Sequence, residues 1–383
     1  MNMSTLLKGA TILALSSTTA MAGGLDRSGQ PTSIIFEDGQ YLQFSAATVR
    51  PNVSGTFTAN ATGAAVGTSG NGQSDYGFFG MGYRGETKDG SIGYAIIYDE
   101  PYGSDVSYGA GTGAGAALNG LGGEVSTQAL TFLGQYNFGN GFSAHGGIRA
   151  QQGDATAALP TALVSARTGG TVNTPYSVSG SASTAYGGVL GAAYERPEIA
   201  LRVAATYSTA IDHDVNFVET VGGATTVRAG SLEFPESLNL EFQSGINQST
   251  LVFGSVRWAN YSDFRIAPPT FTGAAGGPLV SFTDDAMAYS LGVARRINEN
   301  FAVSVSLGYE AGTDTASPSY FSPADGRSSI ALAGIFNAGS AEITAGVRYT
   351  DLGDENVALG NTITGNFTDN EAISIGVQIG FQL

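Results

Sequence analysis

A two-residue alternation of apolar with small or polar side chains is the feature that most constrains this chain. From 373 to 383, every odd-numbered position holds Ile, Val, Phe or Leu, and every even-numbered position holds Ser, Gly or Gln. The pattern recurs at 301–310 and 199–207. Because side chains of a strand point alternately to its two faces, it predicts β-strands with one apolar face. A soluble β-sandwich also alternates, so a single strand does not choose between a sandwich and a membrane barrel.

The spacing of the alternating segments is more informative. About fourteen of them follow one another, most close to the 9–11 residues that a tilted membrane strand needs. They are 40–50, 75–84, 91–100, 125–138, 142–152, 182–195, 198–208, 236–246, 250–261, 285–297, 300–311, 326–336, 340–350 and 371–383. Short connections such as 139–141 alternate with long ones such as 153–181 and 209–235. This pattern predicts an all-β fold, a transmembrane antiparallel β-barrel of about 14 strands, with both barrel ends on the short-turn side.

Charged and aromatic residues follow the same parity. Six arginines lie on the small or polar face of their strands, namely Arg84, Arg149, Arg202, Arg257, Arg296 and Arg348. A lipid-facing arginine at the bilayer midplane would cost about 2–4 kcal/mol, so these side chains are expected to point into the lumen. Three glutamates share this parity and could neutralise some of them, namely Glu241, Glu310 and Glu342. Aromatic residues near strand ends have the opposite parity, as in interfacial girdles, namely Tyr98, Tyr136, Phe138, Tyr194, Tyr207, Trp258, Tyr309 and Tyr349.

The first residues have the three parts of an export signal, which are Lys8, an apolar stretch at 9–15 and the cleavage site Ala20-Met21-Ala22. We therefore expect a signal peptide at 1–22, a segment before the first strand at 23–39 and a barrel at 40–383; an ordinary N-terminal helix is the alternative. The chain has no Cys, which excludes a disulfide scaffold and thiolate metal sites. Its net charge of -16 argues against nucleic acid as a partner, because phosphates are bound by clusters of Lys and Arg.

Five short motifs, in their order along the chain, resemble FadL-like proteins, the long-chain fatty acid and hydrocarbon transporters of the outer membrane. The motifs are Gly23-Gly24-Leu25-Asp26-Arg27-Ser28-Gly29-Gln30, Tyr98-Asp99-Glu100-Pro101-Tyr102-Gly103, Pro235-Glu236-Ser237-Leu238-Asn239-Leu240, Trp258-Ala259-Asn260-Tyr261-Ser262-Asp263-Phe264 and Pro323-Ala324-Asp325-Gly326-Arg327. The resemblance implies a 14-stranded outer-membrane barrel whose N-terminal segment folds inside as a plug. Here that segment, 23–39, is shorter than the family's usual plug and lacks its Asn-Pro-Ala triplet.

The resemblance also implies passive uptake of hydrophobic compounds, with long-chain fatty acids as the leading substrate and aromatic hydrocarbons second. Such molecules need an apolar tunnel, and a carboxylate head needs a desolvated cation. The candidate partners of the head group are four lumen-facing arginines, namely Arg149, Arg202, Arg257 and Arg348. Their alternative role is to form an ion-pair network that braces the barrel wall. The candidate apolar lining consists of residues that break the small-or-polar rule on the lumen side, namely Phe78, Ile97, Leu133 and Phe253.

Two segments are candidates for gating. The first is Ile34, Ile35 and Phe36, which could occupy the ligand tunnel or could simply begin the first strand. The second follows the third strand, where Pro101 removes a ladder donor and Gly103 permits a bend. By resemblance, this strand carries the kink that opens the wall sideways; an ordinary strand end at a loop is the alternative.

Two other functions compete with hydrophobic transport. A general porin would have a polar, open lumen that conducts ions. An outer-membrane hydrolase would use Asp212-His213-Asp214, expected in an external loop, as an acid–base group. We expect no metal and no cofactor. The expected partners are a hydrophobic small molecule inside a monomeric barrel, and outer-membrane lipid and lipopolysaccharide around it.

Overall fold

A computed structural model of the 383-residue chain describes residues 25–59, 66–312, 319–359 and 363–383. The signal peptide predicted at 1–22 lies outside these ranges. The first two residues of the predicted segment 23–39 also lie outside them.

Fourteen antiparallel strands form the wall of a closed barrel, which confirms the predicted fold. They are β1 (Tyr41–Asn52), β2 (Tyr76–Glu86), β3 (Ile92–Asp99), β4 (Gly122–Gly139), β5 (Phe142–Leu159), β6 (Tyr176–Arg196), β7 (Leu201–Ser208), β8 (Ser237–Asn247), β9 (Thr250–Ala259), β10 (Ala286–Arg296), β11 (Phe301–Glu310), β12 (Arg327–Ala338), β13 (Ala341–Leu352) and β14 (Asn370–Gln382). Each strand pairs with its sequence neighbours. The barrel closes because β1 also pairs with β14, from Tyr41 opposite Gln382 to Asn52 opposite Glu371.

Shorter elements lie in the loops and in the N-terminal segment. The α-helices are α1 (Thr161–Arg167) and α2 (Pro269–Ala275), and 3₁₀ turns occur at Ser33–Phe36, Gly113–Leu118, Pro197–Ile199 and Tyr261–Asp263. The remaining strands are Gly55–Ala59, Gly67–Thr68, Gly103–Ser107, Ile211–Val221, Ala224–Phe234, Arg265–Ile266, Val280–Ser281, Glu355–Leu359 and Ile363–Phe367. Among the described residues, none of the helices is both long and apolar enough to cross a membrane.

Several predicted boundaries are wrong. Strands β4, β5 and β6 have 18, 18 and 21 residues, so they continue into what was expected to be loop. The outer end of β6 pairs with Ile211–Val221, which forms a hairpin with Ala224–Phe234. The segment 209–235 is therefore not a plain loop; its strands pair beyond the barrel proper, where lipid does not impose an apolar face. Strand β7 begins at Leu201 rather than 198, because Pro197–Ile199 forms a 3₁₀ turn that ends at Ala200 in a left-handed conformation.

The two faces of the wall differ in the expected way. Outward side chains such as Leu307 and Ile375 are 57% and 56% exposed and form an apolar belt, whereas lumen-facing Arg149 and Arg202 are buried. A closed barrel pairs nearly all of its wall backbone groups internally and offers only apolar side chains to hydrocarbon, as a bilayer requires. The chain therefore has the architecture of a transmembrane antiparallel β-barrel.

Candidate ligand-binding site

Residues 25–37, here called the lumen segment, lie inside the barrel. Asp26 accepts two hydrogen bonds of 2.8 Å from the guanidinium of Arg257 on β9. Ser237 on β8 donates to the side-chain oxygen of Gln30 at 2.7 Å, and the Gln30 amide donates to the hydroxyl of Tyr102 at 3.0 Å. Arg257 and Ser237 project inward from neighbouring wall strands, and Tyr102 lies just after the third strand, so this part of the segment lies inside the lumen and not along its rim.

The 3₁₀ turn Ser33–Phe36 forms the apolar end of the lumen segment. Ile35 is fully buried in a cluster that includes Ile97 of β3 and Leu133 of β4. Strand β1 begins only at Tyr41, so the turn is separate from the wall. The turn occupies space that a wide, water-filled pore would leave open.

The ring of Phe36 connects this turn to another part of the wall. It meets His145 of β5 edge-on, with ring centroids 5.5 Å apart, and the guanidinium carbon of Arg202 lies 4.9 Å from its centroid. The Nε2 atom of His145 lies 2.9 Å from the hydroxyl of Thr206, which itself lies 3.4 Å from the hydroxyl of Thr32. Polar and aromatic contacts therefore fix the turn on the β5–β7 side as well.

The third strand is interrupted. Strand β3 pairs with β2 only from Tyr98 opposite Met81 to Gly93 opposite Glu86. After Asp99 the chain leaves the wall, and it resumes as Gly103–Ser107, which pairs with β4. The stretch 76–80 of β2 consequently pairs with β1 on one side and has no β3 partner on the other.

The displaced chain pairs instead with the lumen segment. The backbone N–H of Arg27 donates to the carbonyl of Pro101, and the N–H of Gly103 donates to the carbonyl of Leu25, both at 2.8 Å. These bonds form a short ladder between the kink and the lumen segment. Pro101 and Gly103, the residues predicted for gating, lie at this break, where the chain bends inward.

An apolar cavity with about 990 Å³ of empty space lies between the loops and the outer ends of the strands. Its lining includes Leu25 of the lumen segment and aliphatic and aromatic residues of strands and loops, among them Val53, Val178, Phe217, Ile266, Phe282 and Phe321. Glu124 is the only charged residue among the described ones that line it. Tyr108 belongs to the cluster of buried residues around this cavity. Burial raises the pKa of its hydroxyl group, as expected in an interior that excludes water. We call this space the outer cavity.

A second cavity, the inner cavity, has about 690 Å³ of empty space and lies below the break in the β2–β3 ladder. Ile34, Phe78 and Ile97 line it from the lumen side. Residues of the outer face of the wall line it too, namely Phe79, Met81 and Tyr98. Because residues of both faces line one space, the inner cavity passes through the wall.

The four arginines predicted as head-group partners face the lumen but do not converge. Arg257 binds Asp26 and also donates to Asn239 at 2.9 Å. Arg202 lies over Phe36 and donates to Gln243 at 3.3 Å. Both guanidinium groups therefore already have protein partners.

Arg149 and Arg348 have different surroundings. Arg149 is 2% exposed and donates to Thr131 at 3.0 Å; the carboxylate of Asp99 attracts it from beyond ion-pair distance. Arg348 is buried within electrostatic range of Arg327, which forms an ion pair with Glu310. The four arginines thus occupy at least three separate places in the lumen.

The predicted apolar lining is also divided. Phe78 and Ile97 line the inner cavity, and Leu133 packs in the cluster of the 3₁₀ turn. Phe253 lies in a separate cluster with Leu251 and Ala294, near the short turn between β8 and β9. Inward parity alone identified all four, but it does not give their height in the barrel.

The predicted acid–base motif does not form a site. Asp212-His213-Asp214 lies in the strand Ile211–Val221 and not in a loop, so His213 is fully buried while both aspartates are exposed on the other face. The Nδ1 atom of His213 lies 2.8 Å from the carbonyl of Ser183. Among the described residues, no three His, Asp or Glu side chains come together as a metal site.

Arg27 and Tyr76 are not among the residues predicted from the sequence. The guanidinium carbon of Arg27 lies 4.6 Å from the ring centre of Tyr76, which lines the outer cavity. Arg27 belongs to the first of the motifs that carry the family resemblance, so a signal was present. Its position was not derivable, because it depends on how the lumen segment meets the kink.

Solved structures share this architecture across nearly the whole chain. A crystal structure of a Pseudomonas aeruginosa FadL homologue has a TM-score of 0.75 at 13% identity, and the match covers 96% of this chain and 97% of the homologue. The Pseudomonas putida toluene transporter TodX gives 0.61 at 15% identity, covering 92% of each chain. The Ralstonia pickettii toluene transporter TbuX gives 0.57 at 12% identity, covering 91% of this chain and 90% of TbuX.

No family model matches the chain, and no curated protein matches its sequence. The likeness in structure therefore establishes the fold. The chain has the FadL-like barrel fold that the short motifs predicted.

Proposed function

We propose that this protein is an outer-membrane channel for energy-independent uptake of hydrophobic compounds, with long-chain fatty acids as its substrate class. The observation that carries the proposal is the pair of apolar cavities, of which the inner one passes through the wall at 76–80 of β2. The substrate is captured among the loops, moves along the lumen segment and leaves sideways into the bilayer. No energy source is needed, because the transfer of an apolar chain into hydrocarbon is downhill.

The lining of the cavities supports a hydrophobic ligand. Small-molecule pockets are mostly apolar, with few polar groups. The lining of both cavities is dominated by aliphatic and aromatic side chains. The fold likeness to a FadL homologue agrees with this substrate class.

Neutral aromatic hydrocarbons are the second candidate. One observation favours them: among the described residues that line the outer cavity, the single charged side chain is the acidic Glu124. A neutral ring needs no cation to enter such a space. TodX and TbuX, whose structures share this fold, are toluene transporters.

A general porin is less consistent with the lumen. Such a channel needs an open, polar passage, whereas residues 25–37 cross this barrel and Ile34–Phe36 pack into an apolar cluster. If the lumen segment closes the passage to ions, planar bilayers containing the protein should carry little current. Large, steady conductance would favour the porin.

Uptake of radiolabelled oleate and toluene tests the proposal. Cells that lack their own carrier are compared with and without this protein in the outer membrane. Faster oleate entry is the expected result. Faster entry of toluene alone would shift the substrate class to hydrocarbons, and entry of neither above the empty strain would contradict hydrophobic transport altogether.

A further inference from the structure

Arg27 lies in the lumen segment between residues of the two cavities. Leu25 lines the outer cavity and Ser28 lines the inner one. The guanidinium of Arg27 lies over the ring of Tyr76, a residue of the outer cavity. On the kinked strand, Gly103 leaves room for it, since a Cβ atom there would stand 2.2 Å from the Nε atom of Arg27.

The charge of Arg27 is buried against the ring of Tyr76. The residue is 8% exposed, and its buried Nε atom makes no hydrogen bond. Within the described parts of the chain, no carboxylate lies at ion-pair distance from this guanidinium; Glu100, Asp105 and Glu124 act on it only from farther away. An arginine side chain stays charged, and a buried charge without hydrogen-bonding partners is costly.

Four other lumen arginines have partners for their guanidinium groups. Arg257 has the carboxylate of Asp26, and Arg327 has that of Glu310. Arg202 and Arg149 donate to uncharged side chains. Arg27 is therefore a buried guanidinium beside residues of both cavities, and among the described residues it has no carboxylate at ion-pair distance.

We infer that Arg27 binds the carboxylate head group of a long-chain fatty acid at the passage between the outer and inner cavities. A guanidinium matches a carboxylate through two parallel N–H···O bonds, which a point-like ammonium cannot reproduce. The alkyl chain would lie in the apolar space on either side of the head group. This inference rests on the proposed function and names the residue that distinguishes a fatty acid from a neutral hydrocarbon.

Binding of two ligands that differ only in charge tests the inference. Radiolabelled oleate and methyl oleate are titrated into the full-length protein in lipid nanodiscs, and empty nanodiscs are subtracted. The variants are Arg27→Gln, Arg27→Lys and, as a control, Arg50→Gln. Arg50 is exposed on the outer end of β1, where it pairs with the exposed Asp75 at 3.4 Å.

The expected result is that Arg27→Gln weakens oleate binding by about tenfold to a hundredfold and leaves methyl oleate unchanged. Arg27→Lys should recover part of the loss, and Arg50→Gln should bind both ligands as the unaltered protein does. Equal weakening of both ligands by Arg27→Gln, or no weakening of oleate, would overturn the inference while leaving hydrophobic transport standing. Failure of the unaltered protein to bind either ligand would overturn the proposed function itself.

Discussion

The guanidinium of Arg257 on β9 holds the carboxylate of Asp26 through two hydrogen bonds of 2.8 Å inside the barrel. Asp26 also forms a β-bridge with Tyr102, just beyond the break in the third strand. One buried ion pair thus fixes both the lumen segment and the kinked strand to the opposite wall. Any movement that opens the wall at the kink has to strain or break this pair.

Replacing Asp26 with Asn should loosen the lumen segment. The change leaves the Arg257 guanidinium buried without its carboxylate, which typically costs about 3–5 kcal/mol. We expect the free energy of local opening at 25–36, obtained from amide hydrogen exchange, to fall by about this amount. The strands of the barrel should keep their protection from exchange. Hydrogen exchange followed by mass spectrometry measures both regions in one experiment.

The matched control for that change is Glu198→Gln. Glu198 pairs with Arg196, but these side chains are 60% and 51% exposed, and exposed pairs contribute about 0–1 kcal/mol. The control should leave exchange at 25–36 as it is. Unchanged protection in Asp26→Asn would mean that the ion pair does not anchor the lumen segment.

Replacing Gly103 with Ala should disturb Arg27 without changing its charge. The new Cβ would stand 2.2 Å from Nε and 2.3 Å from Cζ of Arg27, so the guanidinium must move. We expect oleate affinity to fall about tenfold and methyl oleate affinity to stay the same. Gly109→Ala is the control, because no atom lies within 4 Å of a Cβ at that position. Equal oleate binding in the two variants would count against a fixed guanidinium at the passage.

Replacing Gly80 with Leu should block the exit through the wall. Gly80 faces the inner cavity beside the unpaired stretch of β2, and a side chain there would fill that space. We expect the rate of oleate uptake by cells to fall severalfold while binding in the outer cavity remains. Gly77→Leu has the opposite parity and faces lipid, so it should transport normally. Normal transport by Gly80→Leu would argue for a route that avoids the inner cavity.

Replacing Val178 with Asp should weaken every ligand of the outer cavity. Val178 is 7% exposed and lines that space, and an unpaired carboxylate there is strongly disfavoured next to an alkyl chain or a ring. Oleate and toluene uptake should both fall, in contrast to the charge-selective effect at Arg27. The control is Val227→Asp, which is 63% exposed on the hairpin. Loss of oleate uptake alone would contradict a shared entry site.

The two-residue alternation was sufficient to predict the strands of the barrel wall. The alternation at 373–383 and 301–310 predicted β14 and β11 nearly to the residue, because lipid on one side and lumen on the other impose period two. Ile211–Val221 was predicted as part of a loop, although its buried and exposed residues alternate as well; its buried face packs against protein and not against lipid. The alternation also gave no height in the barrel, so Phe253 was grouped with Phe78 although the two residues lie in different places.

The sequence by itself determined the class of fold, the strand number and which side chains face the lumen, since each follows from residues near one another in the chain. Only the tertiary structure decided which lumen residues meet. Asp26 and Arg257 are 231 positions apart, and Arg27 reaches Tyr76 and Gly103 only because the lumen segment folds back against the interrupted strand. Parity fixes the direction of a side chain, but contacts inside a closed barrel depend on strand stagger and on the path of the inserted segment, and neither is written in a local pattern.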